Sequence, residues 1–227
     1  MSSKALTELL VGIQEIRDLQ AANPTPRGGL PARPKVVRAI NRSSVVLLSS
    51  HLERYLHALC EEAVAEVNQS AIAGASLPAI LRLQHSQVGV DAMLETQWQN
   101  RSAQLSDFVS SDSWLWGNAP KGTLVADRLL QWMKSPSPER IKRLFELWEI
   151  QNIFARITRE PHTRGRFWLK LGELVEKRNN IAHGDSTTEA TYQDIAAYLA
   201  VVREFCTRAD RVLSRTLAVR LGVPLPW

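Results

Sequence analysis

Nowhere in its 227 residues does the sequence hold the roughly 18–20 uninterrupted apolar residues that a membrane helix requires. Cysteine is almost missing. Cys60 and Cys206 lie far apart within helical patterns, with no CxxC pair and no Cys/His group at zinc spacing. This excludes a zinc module and a disulfide scaffold, and leaves two buried thiols in a reducing compartment. No cluster of aspartate or histidine calls for a metal, so the expectation is no metal ion and no cofactor. Internal repeats and convincing strand patterns are lacking as well. The first residues, MSSKALTELLVGIQEIRDL, lack the basic start, compact apolar run and small-residue cleavage site of a secretory signal. They carry Glu8, Glu15 and Asp18 on an amphipathic pattern, as the first helix of a cytoplasmic protein would.

Charge is only mildly one-sided: 28 Lys and Arg against 23 Asp and Glu give +5. Arginine supplies 21 of the 28 cations. It grips phosphate bidentately better than lysine does, so a polyanionic partner is permitted although charge alone does not demand one.

What remains reads as helices joined by Pro/Gly-rich breaks. The first covers about 4–21, and NPTPRGGLPARP (23–34) follows as a linker, so 1–35 forms an N-terminal helix and its tether. From Pro34 to about Asn68 the apolar residues Val45, Leu48, Leu52, Leu56, Leu59, Ala63 and Val67 recur in steps of three and four, one buried helical face. Between 70 and 135 the pattern weakens into a Trp-containing insertion. SLPAILRLQ reads as a short helix, SSDSWLWGNAPKGT as an ordered loop and TLVADRLLQWMK as helix again. Its Trp98, Arg101, Trp114, Trp116, Lys121, Arg128 and Trp132 leave two readings open, an RNA-stacking surface or tryptophans used as core and interface anchors. SPSPERIKRLFELWEIQ opens with Ser137 as N-cap, Pro138 at the first helical position and Glu139 in the first turn. ITREPHTRGR (157–166) looks like a basic loop. Ser186-Thr187-Thr188-Glu189 is a capping-box pattern that starts a last long helix. The fold class is therefore all-α, a helical bundle in one domain spanning 1–227.

One segment carries chemistry, FWLKLGELVEKRNNIAHGD (167–185). At about 100° per residue, Leu171, Leu174, Val175, Arg178 and Ala182 fall on one stripe. A guanidinium on an apolar stripe is costly unless it is paired or faces a polar cleft. His183 follows five residues later, and Gly184 is a natural helix terminator. His183 thus sits in an elbow between one helix end and the start of the next, where a phosphate is favoured. The spacing alone says little, because 21 arginines and 5 histidines produce it easily by chance. An arginine salt-bridged to a neighbouring helix, with a histidine capping a carbonyl, is the plain alternative.

RNNIAHG resembles the signature of the HEPN superfamily, whose ribonucleases carry an Arg, four to six residues, then a His. VVRAINRSSVVLLSSHLERYLHAL (36–59), SPSPERIKRLFELWEIQNIF (135–154) and LVEKRNNIAHGD (174–185) are similar to the RiboL-PSP-HEPN branch, over roughly 36–70 and 135–215. The resemblance implies a HEPN-like bundle with a partly irregular insertion. It matches Arg178 and His183 to the catalytic pair, Asn179 to the polar position after the arginine, and Glu53 to an acidic position on an earlier helix. Glu53 either belongs to the site, steadying Arg178 or His183, or pairs with His57 one turn on. The activity implied is metal-independent endoribonuclease cleavage to 2′,3′-cyclic phosphate and 5′-hydroxyl ends, by a homodimer that acts on RNA as a toxin or antiphage effector. An antitoxin or defence-complex partner goes with that reading. A catalytically silent HEPN module binding RNA or a protein is the second reading, and a helical scaffold the third.

Overall fold

A computed structural model describes residues 2–22 and 33–227. The 23–34 linker lies almost wholly outside the described residues. Among those residues the architecture is all-α, with nine α-helices and no strand. Helix α1 covers Lys4–Ala21 and α2 Pro34–Gln69. The helices α3 (Ala79–Glu95), α4 (Arg101–Trp116) and α5 (Ala126–Leu130) build the insertion. Then come α6 (Pro138–Glu146), α7 (Ile153–Ile157), α8 (Pro161–Ala182) and α9 (Tyr192–Leu221).

The spine is α2, which spans 36 residues without a break. Between Pro34 at its start and Ser70 beyond its end it holds neither proline nor glycine, so nothing in it interrupts the hydrogen-bond ladder. All seven apolar residues read as its buried face, from Val45 to Val67, are buried. Helices α1, α8 and α9 pack along it. Tyr55 Oη donates to the Cys206 carbonyl at 3.0 Å, satisfying a buried hydroxyl at the α2–α9 seam. Phe154, Phe167 and Phe205, from α7, α8 and α9, stack with centroids 5.2 and 5.8 Å apart. Both thiols are buried and free.

The ends of the chain are fastened to each other. Ser3 caps α1 by accepting the Leu6 N–H at 2.9 Å, and its hydroxyl donates to Asp210 on α9. Glu62 accepts from the Lys4 and Ala5 amides at 3.1 and 2.6 Å, completing the N-terminal donors that a helix leaves open.

Three sequence expectations need correction here. SSDSWLWGNAPKGT is not a loop throughout, because Ser110–Trp116 form the last turns of α4. Its asparagine, glycines and proline mark only the segment beyond Trp116. The short helix of SLPAILRLQ runs on to Glu95. The 157–166 stretch is mostly helical, since Pro161 is the first residue of α8 rather than part of a loop. The insertion tryptophans divide. Trp114 is buried against Gly74 and Gly122, whereas Trp98 is exposed. Lys121 is spent on the Val67, Asn68 and Ser70 carbonyls, and Arg128 on the buried Asp112 at 2.8 Å. The base-and-aromatic series therefore does not form one continuous surface.

Candidate active site

Helix α8 places the motif. Leu171, Leu174 and Val175 are buried and fix its inner face on the core. Arg178 continues that face by one turn but emerges at the edge, and Ala182 beyond it is exposed. The apolar stripe thus ends at Val175, and Arg178 is a half-buried group at a rim. Its Nη2 lies 3.9 Å from Glu53 Oε2 on α2, with side chains 29% and 26% exposed. Its Nη1 donates to Asn179 Oδ1 at 3.0 Å. His57 does not take Glu53. Its Nε2 meets the Met133 carbonyl at 3.1 Å instead.

Helix α8 stops at the motif's second half. His183 is its C-cap residue, at φ −82° and ψ 7°. Gly184 has φ +84°, a conformation that favours glycine. The His183 N–H donates to Asn179 O at 2.9 Å, Gly184 to Ile181 O at 3.1 Å and Asp185 to Asn180 O at 3.0 Å, a Schellman-type ending. His183 is exposed, about 7.5 Å further along the axis than Arg178 at 1.5 Å per residue. Its imidazole has no hydrogen-bond partner among the described residues.

The elbow differs from the sequence expectation. The last helix starts at Tyr192, and its capping box is Thr191 with Asp194, not Ser186 with Glu189. The cause is Asp185. Its carboxylate accepts from Thr187 N and Oγ1 at 2.7 Å and from Thr188 Oγ1 at 2.5 Å, so the first part of the apparent box folds into a turn. The Thr188 and Thr187 hydroxyls hold the Asp185 carboxyl well below the usual carboxylate range. The N-terminal amides of α9 consequently stand further along the chain from His183 than the sequence implies.

Sequence reasoning missed the residues that hold this turn. Arg42 Nη1 donates to the Asp185 and Thr188 carbonyls at 2.8 and 2.7 Å. Asn41 Nδ2 donates to Ala190 O at 3.0 Å, and Arg38 to the Ser186 carbonyl. One helix, α2, thus grips the motif at both ends, with Glu53 on Arg178 and the Arg38–Arg42 turn on the segment after His183. The available signal was Arg38, Asn41 and Arg42 at helical spacing inside a conspicuous block; only their partners were invisible.

Beside the motif, Ala39, Arg42, Ser43, Val46 and Leu47 of α2 and Ile181 of α8 line an open groove of about 560 Å³. Among the described residues no group of three or more His, Cys, Asp or Glu side chains is arranged to hold a metal ion. No helix of the described residues is long and apolar enough to cross a membrane.

Neither the curated proteins nor the solved structures give a match to this chain. A family model does, that of RiboL-PSP-HEPN, over residues 7–215. The match runs through the N-terminal helix and the insertion as well as the blocks that carried the resemblance. Membership of that family points to an RNase-type or RNA-related function. The chain belongs to the RiboL-PSP-HEPN family.

Proposed function

We propose that this protein is an endoribonuclease that needs no metal ion and leaves 2′,3′-cyclic phosphate and 5′-hydroxyl ends. The observation that carries the reading is the arrangement of Arg178, held by Glu53 and Asn179 at a rim, with an exposed His183 ending the same helix. Such cleavage requires removal of the 2′-hydroxyl proton and stabilisation of a charged phosphorane. Histidine titrates near neutrality and does acid or base work, while the guanidinium fork binds phosphate oxygens and keeps its charge. Asn179 orients Arg178, and Glu53 positions it without touching substrate.

One histidine cannot serve both sides of an in-line displacement. The functional unit is therefore a homodimer in which two motifs share one cleft. The open groove supports this reading: Leu47 is exposed beside Ile181, an apolar patch that a symmetric contact would cover next to the catalytic pair. A role as a toxin or antiphage effector, with RNA as substrate and an antitoxin or defence-complex partner, follows from that activity.

The test is incubation of purified protein with structured RNA, with and without EDTA. Cleavage unaffected by EDTA is expected. Binding without cleavage would instead make the chain a silent RNA-binding module, and neither would leave a helical scaffold.

A further inference from the structure

The positive charge of the chain is unevenly placed. Where α7 turns into α8, Arg156, Arg159, Arg164 and Arg166 fall within one short stretch. This corner packs on α9, where Arg208 donates to the Ile157 carbonyl at 3.5 Å and Glu204 bridges Arg166 and Arg208. From Glu204 the same side of α9 continues through Arg208, Arg211 and Arg215, at steps of four, three and four. Seven arginines thus meet two acids, Glu160 and Glu204. The other 21 cations of the chain are matched by 21 acids, so the whole excess of +5 lies at this corner.

The acids do not cancel it. Glu204 is shared by two guanidinium groups, and Glu160 takes the Thr163 hydroxyl. Arg156, Arg159, Arg211 and Arg215 are exposed and Arg164 is half-buried. None of these five has a side-chain partner among the described residues. Carboxylates further along the chain are engaged elsewhere. Glu149 pairs with Arg220, while Trp227 at the C-terminus meets Ser214 and Asp210 on the side of α9 that faces α1. Arginines on successive turns repel one another, so the stripe works against the helix that carries it and suits an anion laid across it.

We propose that this corner is a phosphate-backbone surface for RNA, a foothold separate from the site of cleavage. The anion that engages it is extended, because the arginines come from three elements and Arg208 to Arg215 alone covers roughly 10 Å of α9. Every cation of the corner is arginine, whose fork fits phosphate oxygens. Trp168, one turn beyond Arg164, is 41% exposed, an aromatic beside arginine of the kind on which single strands stack. Within two turns of the corner on α8 the large exposed apolar side chains are Trp168 and Leu169, too few to insert into a bilayer. From Pro161 to His183 the distance is roughly 33 Å at 1.5 Å per residue, on the order of ten paired nucleotides at about 3.4 Å each. Between the two ends Lys170 is paired with Glu173 and Lys177 with Asp194, so the cationic track is interrupted. The corner therefore holds RNA away from the cut bond and favours long substrates. That last step rests on the ribonuclease reading, whereas binding itself does not.

The test is binding of a fluorescent RNA of about 30 nucleotides, long enough to span both ends, whose 2′-O-methyl groups leave no hydroxyl to attack. Arg159→Ala combined with Arg211→Ala should weaken binding about 10-fold and lower the slope of log affinity against log salt by about 1.4, at ~0.7 per cation. The melting temperature should not move, since both side chains are exposed; if it falls, the corresponding Gln pair is measured instead. Removing the same charge at Arg17 and Lys134, exposed outside the corner, should change affinity by no more than about 2-fold. Equal weakening by the two pairs, or none by the first, would overturn the proposal. So would a parent chain that ignores the RNA but binds phosphatidylserine vesicles through Arg159 and Arg211, which would make the corner a membrane surface. On cleavable RNA the first pair should raise KM for long strands and leave kcat unchanged. A parent chain that holds the probe through the corner yet cuts no RNA would defeat the ribonuclease reading and uphold the binding surface.

Discussion

Arg178 on α8 faces Glu53 on α2 across 3.9 Å, and each side chain is about a quarter exposed. The pair is too solvated for much net stability, since exposed ion pairs contribute on the order of 0–1 kcal/mol. Its effect is orientation. Glu53→Gln keeps the shape but removes the charge that steadies the guanidinium. The expected outcome is a cleavage rate lower by roughly 10-fold with the melting temperature unchanged, since a misplaced donor weakens phosphorane binding rather than the fold. Full activity in Glu53→Gln would remove Glu53 from the site.

His183 sits exposed at a helix end, so little packing depends on it. His183→Ala should fold like the parent and lose about 10²–10⁴-fold in cleavage rate, the usual contribution of a general acid or base. Thermal melting run beside the activity assay separates this from a folding defect. A variant that cleaves at the parent rate would end the catalytic assignment.

Arg42 holds the turn after the motif through two backbone carbonyls. Arg42→Ala leaves both without their donor and should destabilise the chain by about 1–3 kcal/mol. Hydrogen exchange should quicken at 185–190 before it does elsewhere. Uniform protection across that segment in the variant would show that Asn41 and Arg38 suffice.

His85 provides a pH signature unrelated to the active site. Its Nδ1 lies 3.2 Å from Asp112, while its Nε2 accepts the Val125 N–H at 3.1 Å, an arrangement that needs the neutral ring. Burial holds its pKa below the ordinary histidine value of 6.5. A depressed histidine pKa means that the unfolded chain takes up the proton first as the pH falls. The contribution is therefore complete above pH 6.5 and is lost on acidification towards the folded-state value. Urea denaturation between about pH 7.5 and 5.5 should show stability falling with pH, and a shallower slope in His85→Gln. Equal slopes in the two chains would contradict this.

Much of the bundle is legible in the sequence because it follows periodicity and caps. The buried face of α2 and the Ser137-Pro138 start of α6 are written in residues close to one another. Other features depend on partners far along the chain. Ser186-Thr187-Thr188-Glu189 has the letters of a capping box, but Asp185 captures both threonines first. The turn is then held from α2, more than 140 residues earlier. Arg178 is conspicuous on its wheel, yet its partner is a choice between Glu53 and others that only packing makes. The insertion was harder because its helices lack a buried stripe through Gln87–Ser111, so the periodic signal of a core is missing there.

If two motifs build one cleft, the histidines are not independent. A mixed dimer of parent and His183→Ala chains, isolated by two different tags, should retain far less than half of the parent rate. Independent sites would retain about half by counting intact copies. A half-rate result would leave Arg178 and His183 in place and remove the shared cleft.

The most direct measurement is the chemistry of the cut ends. RNA treated with the purified protein in EDTA should yield fragments whose 5′ ends accept a kinase-transferred phosphate without prior phosphatase treatment. Their 3′ ends should resist labelling until the cyclic phosphate is opened and removed, and no fragments should form with His183→Ala. Intact RNA under all conditions, or 5′-phosphate ends made only when a divalent ion is present, would contradict the account.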